Sequence, residues 1–198
     1  KHVPPELAVP GDRLISHRAL LVAGLCDGTS VIDNFLPVDE CLATLDAVKA
    51  LGIDCEVLET DGNGRPVKVA VTGHGMKLKA PTTPVDCGDS AETMQLLTGV
   101  LASQSFTTNL TAAPALTARA MRSVADPLRK MGAEVIGQGA EVHPPLFVRG
   151  AALKPVTHAL EGPDEAVKDA VLPAGWTAEG KTSLIEPAPS RDHIERLF

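Results

Sequence analysis

"GDRLISHRALLVAGLCDGTSVI", Gly11 to Ile32, decides the fold, because the chain writes its pattern three times. A Gly-Asp pair opens the stretch. Apolar residues at helical spacing follow through Leu20, Leu21, Ala23 and Leu25, then a polar turn at Asp27-Gly28 and a β-branched run over Thr29–Ile32. The second version opens at Gly88, carries Met94, Leu96, Leu97, Val100 and Leu101, turns at Ser103-Gln104-Ser105 and reads as strand over Thr107–Leu110. The third opens at Gly162, carries Val167, Ala170, Val171 and Leu172, turns at Glu179-Gly180 and reads as strand over Thr182–Ile185.

Working outward, each version is followed by a second helical pattern, over Val38–Leu51, over Thr117–Met131 and from Ser190 onward. The first two close on "LGIDCEV" and "MGAEV", where Gly after Leu or Met is a helix C-cap signal and the next apolar residues read as a strand. "VKVAVTGHG" and "LFVRGAAL" supply closing strands. The unit is strand, helix, strand, helix, strand, strand. The predicted fold is α/β, one domain over residues 1–198 made of repeated βαβαββ units at about 9–80, 81–155 and 156–198. The third unit stops at Phe198 inside its second helix, and the chain opens on Lys1 rather than Met. A piece of a longer sequence is the expectation.

Composition narrows the function classes. The formal net charge of −7 argues against a general nucleic-acid binder, which would show a basic face. Cys26, Cys41, Cys55 and Cys87 show no CxxC spacing, so they read as reduced thiols of a cytoplasmic protein and not as a metal site. No apolar run approaches the ~18 residues of a membrane span. Against that acidic background, Arg13 and Arg18 stand at the start of the first helix, where cations oppose the helix dipole by a few tenths to ~1 kcal/mol each. Free N–H groups at three repeated helix starts, with two arginines beside one of them, suit a small anion. The plain alternative is that Arg13 pairs with an acid and Arg18 is a solvated charge.

Four phrases carry a resemblance. "PGDRLISHRAL", "DCGDSAETMQLL", "LTAAPALTARAMRSVADPLRKMGAEV" and "EPAPSRDHIERLF" resemble, in order and over nearly the whole chain, motifs of the enolpyruvyl transferases, and within them of the 5-enolpyruvylshikimate-3-phosphate synthase family. The resemblance implies two similar domains of three βαβαββ units each, related by pseudo-threefold symmetry, with helix N-termini facing an interdomain cleft. This chain would be most of the first domain, its third unit incomplete. The second domain, which carries the family's main acid/base groups, would be absent, so no catalytic residue is expected in this half and the chain alone is expected to be inactive. The implied reaction moves enolpyruvyl from phosphoenolpyruvate to the 5-hydroxyl of shikimate-3-phosphate, a step of aromatic amino-acid biosynthesis in the shikimate pathway, with no metal and no cofactor. Its partners would be small phosphorylated anions, with no nucleic acid and no membrane.

Carried over position by position, the resemblance implies substrate-binding roles for Arg13, Ser16, Arg18, Ser90, Arg119, Lys168 and Ser190. Arg13 stands for a lysine, a swap that enlarges and flattens the cation. Other positions depart from the family pattern: Leu14 for Ser, Asp89 for Asn, Ala91 for Gly, Glu92 for Thr, Gln95 for Arg, and Asp164, Glu165 and Ala166 for a Ser-(Ser/Ala)-Gln run. Asp89, Glu92, Asp164 and Glu165 are therefore expected to set acids where the family binds two anions, so that shikimate-3-phosphate binds poorly. Two functional readings follow: a divergent or partial transferase, or a catalytically inactive homologue or isolated domain serving as a binding or scaffold module.

Overall fold

The computed structural model describes residues 9–198. The first unit contains α1 (Arg13–Leu25), β1 (Asp27–Ile32), α2 (Asp39–Ala50), β2 (Asp54–Thr60) and β3 (Pro66–His74). The second contains β4 (Val85–Asp86), α3 (Ala91–Leu101), β5 (Thr107–Thr111), α4 (Arg122–Met131), β6 (Glu134–Gln138) and β7 (His143–Arg149). The third contains β8 (Thr157–Ala159), α5 (Glu165–Trp176), β9 (Ser183–Ile185) and α6 (His193–Leu197). The second unit thus has the full βαβαββ order. Among the described residues the first unit begins at α1, with no strand ahead of it.

Each unit forms its own sheet. The orders are β1-β3-β2, β4-β5-β7-β6 and β8-β9. β4 pairs parallel with β5, and β8 pairs parallel with β9, each through a crossover helix, α3 or α5. Parallel neighbours need such a crossover, so the same local pattern yields the same topology twice. The closing strands pair antiparallel, β1 and β2 on β3, and β5 and β6 on β7.

The helices divide into two kinds. α3 is buried continuously from Thr93 to Leu101, and α1 and α5 are buried over most of their length, so these are the inner helices of the molecule. α2 and α4 bury one face each, with Cys41, Thr44, Leu45, Ala47 and Val48 on one and Val124, Ala125, Pro127, Leu128 and Met131 on the other. Gly99 sets how closely α3 and α5 approach: a Cβ there would lie 2.1 Å from the Ala170 carbonyl oxygen. Gly52 and Gly132 follow α2 and α4 with φ of +83° and +111°, the left-handed turn that a C-capping glycine supplies.

Three element boundaries differ from the sequence reading. The helix expected over Thr117–Met131 begins only at Arg122, because Pro114 opens a run of turns in which Leu116, Thr117 and Arg119 donate N–H bonds to carbonyls three residues back. The helix expected from Ser190 begins at His193. Here the Ser190 hydroxyl and the Arg191 carbonyl are bonded to side chains instead. The turn expected at Asp27-Gly28 is already strand, with both residues paired to β3.

Candidate functional site

The three inner helices begin at one place. Asp12 caps α1 by accepting the Ile15 N–H at 2.8 Å. Ser90, not the neighbouring Asp89, caps α3 by accepting the Thr93 N–H at 3.1 Å. Asp164 caps α5 through the N–H groups of Ala166 and Val167 at 3.0 and 3.3 Å. These caps satisfy donors that a helix start leaves free. The first turns of all three helices line a single cavity of about 690 Å³, together with Arg119, Pro163, Pro189, Ser190 and Arg191.

That cavity holds as many acids as bases. Its cations are Arg13, Arg18, Arg119 and Arg191, and its carboxylates are Glu92, Asp164, Glu165 and Asp169. Arg18 is 2 % exposed. Its Nε and Nη2 donate to the two oxygens of Asp169, both at 2.8 Å, in the bidentate fork that matches guanidinium to carboxylate. Nη2 also reaches Glu165 at 3.2 Å, and Nη1 reaches His193 Nδ1 at 3.3 Å. Burial works against the Arg18 charge, but hydrogen bonds and attraction from Asp169 and Glu165 override it and leave the guanidinium pKa raised. Burial pushes the Asp169 carboxyl above its ordinary value, and Arg18 pulls it part of the way back.

Arg13 is paired too, with Glu92 on α3 at 3.0 Å. The hydrogen bond to Glu92 raises the Arg13 pKa. Burial pushes Glu92 up, but the hydrogen bond from Arg13, a backbone hydrogen bond and the Arg13 charge together outweigh it and the carboxyl stays below its ordinary value. Arg191 lies 3.8 Å from the other oxygen of Glu165. Arg119 is exposed and has no carboxylate within ion-pair distance among the described residues.

Lys168 does not line the cavity. It is buried behind it, and its ammonium donates to Ser190 Oγ at 2.9 Å, to the Arg191 carbonyl at 2.8 Å and to Glu186 at 3.3 Å, with Glu195 also in contact. This knot ties the C-terminal segment to α5. Ser190 itself borders the cavity and donates to Glu186.

Beneath the helix starts runs a buried relay of side chains. His17 Nδ1 meets Thr44 Oγ1 at 2.6 Å, Thr44 meets Thr93 Oγ1 at 2.6 Å, and Thr93 donates to Ser90 Oγ at 2.7 Å. It joins α1, α2 and α3 and holds the cap of α3 in place. Burial drives the His17 pKa down to about 4, so the ring is neutral at pH 7.

Of the positions read from the sequence, the cavity gathers Arg13, Leu14, Arg18, Glu92, Gln95, Arg119, Asp164, Glu165, Ala166 and Ser190. Ser16, Ser90, Lys168, Asp89 and Ala91 lie outside its lining. Ser16 donates to the Asp12 carbonyl and accepts the Leu36 N–H, which ties α1 to the segment that follows β1. Asp89 is exposed. Asp164, expected as an acid beside the anion site, lines the cavity but commits one carboxylate oxygen, Oδ1, to the α5 cap. Arg13 and Arg18, expected to face a ligand anion, each face a carboxylate of the chain itself. The sequence reading missed Asp169 and Arg191. The one local signal for Asp169 is a Lys168-Asp169 pair set within an apolar helix, and charges there are buried only when paired.

A sequence model of the family described as EPSP synthase (3-phosphoshikimate 1-carboxyvinyltransferase) matches residues 1–198. The chain belongs to the EPSP synthase family. A 3-phosphoshikimate 1-carboxyvinyltransferase of Akkermansia muciniphila is 42 % identical over 193 residues, which is 97 % of this chain and 44 % of that protein. One of Methylococcus capsulatus is 42 % identical over 98 % of this chain and 43 % of its own length. The solved EPSP synthase of Acinetobacter baumannii superposes with a TM-score of 0.88 at 38 % identity, covering 96 % of this chain and 42 % of that one. The chain therefore spans less than half the length of the EPSP synthases it matches. Among the described residues no helix is long and apolar enough to cross a membrane.

Proposed function

We propose that this chain is an EPSP synthase-like protein, divergent or partial, and that its cavity holds the small anionic substrates of enolpyruvyl transfer, phosphoenolpyruvate and shikimate-3-phosphate or a relative of the latter. The observation that carries the reading is the meeting of three helix N-termini, one from each unit, with four arginines around one cavity. Backbone N–H groups and guanidinium forks are the elements that hold phosphates and carboxylates and stabilise charge in a metal-free transfer. The relatives' name, 3-phosphoshikimate 1-carboxyvinyltransferase, supplies the ring and the transferred group. A cytoplasmic setting and small-molecule partners, without nucleic acid, go with this reading. Whole-chain matches to transferases do not favour the alternative of an inactive scaffold module.

Thermal melting tests the site. Inorganic phosphate is expected to raise the melting temperature, and Arg119→Ala to remove most of that rise, because Arg119 is the cavity cation without a carboxylate partner among the described residues. An unchanged response in Arg119→Ala would place the anion somewhere else.

A further inference from the structure

Glu92 and Glu165 are more than departures from a family pattern, because of what they touch. Glu92 lies in the first turn of α3 and meets Arg13 of α1 at 3.0 Å. Glu165 opens α5 and spans the cavity edge, one oxygen 3.2 Å from Arg18 and the other 3.8 Å from Arg191. Each carboxylate thus occupies a guanidinium face that an anionic ligand group would take. Arg18 has little left to offer in any case, since Asp169 fills its fork and His193 meets Nη1.

Charge counting gives the consequence. The four cavity arginines are balanced by the four cavity carboxylates, and one cation, Arg119, has no partner of its own among the described residues. A phosphate monoester carries about −1.5 to −2 at neutral pH. A ring bearing both a carboxylate and a phosphate would bring that charge beside Glu92 or Glu165, where like charges repel. Hydroxyl groups fare differently. An ionised carboxylate accepts hydrogen bonds and cannot donate, so Glu92 and Glu165 suit ligand hydroxyls that donate to them. Leu14 and Ala166, which also line the cavity, present only apolar side chains.

We propose that Glu92 and Glu165 are specificity-determining residues that stand in for ligand anions, so that the cavity takes a hydroxylated ring with a single carboxylate in preference to its phosphorylated form. The inference rests on the cavity being the ligand site, as argued under Proposed function.

Isothermal titration of the chain with shikimate and with shikimate-3-phosphate tests it. Wild type is expected to bind shikimate at least as tightly as shikimate-3-phosphate. The Glu92→Gln, Glu165→Gln double variant is expected to bind shikimate-3-phosphate about tenfold more tightly than wild type does, while its affinity for shikimate moves by less than about threefold. A wild-type preference for the phosphorylated ring, or a double variant that gains less than about threefold for it, overturns the inference and leaves the cavity as the ligand site. Binding of neither ring to wild type or to the variant overturns the reading of the cavity as well. Should the double variant not fold, the wild-type comparison and Glu92→Gln alone decide by the same criteria.

Discussion

Arg13 and Arg18 sit on one helix, face one cavity and each meet a carboxylate from another unit, yet their surroundings differ. The Arg13 and Glu92 side chains are 39 % and 23 % exposed, whereas the Arg18 and Asp169 side chains are 3 % and 4 % exposed. Water screens the first pair and hardly reaches the second. A half-exposed ion pair contributes little, because attraction in a high dielectric barely exceeds the cost of ordering two long side chains. A buried pair is a different object. Its net worth against an apolar pair is small, but the loss of one partner strands a charge. The contrast teaches that α1 uses one arginine to lock the core and leaves the other at the rim of the cavity.

The sharpest way to break the comparison is Asp169→Ala. It leaves the Arg18 guanidinium buried with Glu165, 3.2 Å away and partly exposed, as its one remaining carboxylate partner, and a loss of about 3–5 kcal/mol is expected in urea unfolding. A loss below about 1 kcal/mol would mean that Arg18 turns outward and that the pair is not a lock.

The residue between them gives the next largest effect. His17 is fully buried. Burial pushes its pKa from 6.5 down to about 4; Glu92 and Glu40 pull against the fall, and Arg13 and Arg18 add to it. The unfolded chain takes up this proton near its ordinary value and the folded chain only near the lowered one. The contribution to stability is therefore complete above pH 6.5 and shrinks as the pH falls toward 4, by up to about 1.4 kcal/mol per unit. Between pH 7 and pH 4.5, His17 should lower the unfolding free energy of wild type by ~2–3 kcal/mol, read from urea unfolding at the two pH values. In His17→Gln the drop should be smaller by about that amount. Equal slopes in both would show that another group carries the acid sensitivity.

Smaller still is the effect of removing both charges at once. Arg18→Met with Asp169→Leu should fall within about 1 kcal/mol of wild type, since an apolar pair of similar volume needs no desolvation. A double variant as unstable as Asp169→Ala would show that the fork, and not the stranded charge, is what the core needs. Least of all, Arg13→Gln should cost about 0–1 kcal/mol. A cost equal to that of Asp169→Ala would erase the distinction drawn between rim and core.

Much of the fold was legible in the chain. The apolar runs after Gly11, Gly88 and Gly162 are the three inner helices, and the Leu51-Gly52 and Met131-Gly132 phrases are helix ends in the structure. Such signals are local: caps, periodicity and left-handed glycines act within a few residues. The start of α4 was not legible, because apolar spacing continues through Leu116 and Ala118 although Pro114 and the following turns hold that backbone out of the helix. At the site, the family motifs picked ten positions that do line the cavity. They could not show that Asp164 serves its own helix, or that the two acids most able to oppose a ligand are Glu92 and Glu165.

By itself the sequence determined the repeat, the order of helices and strands, the apolar faces and the membership of the EPSP synthase family, because each depends on residues near one another or on motifs read in order. Only the tertiary structure decided which charges meet. Arg18 and Asp169 lie 151 positions apart in the chain, and Arg13 and Glu92 belong to different units. No local rule pairs such residues. They meet because α1, α3 and α5 pack as inner helices with their first turns at one cavity, and burial there leaves a guanidinium stable only beside a carboxylate.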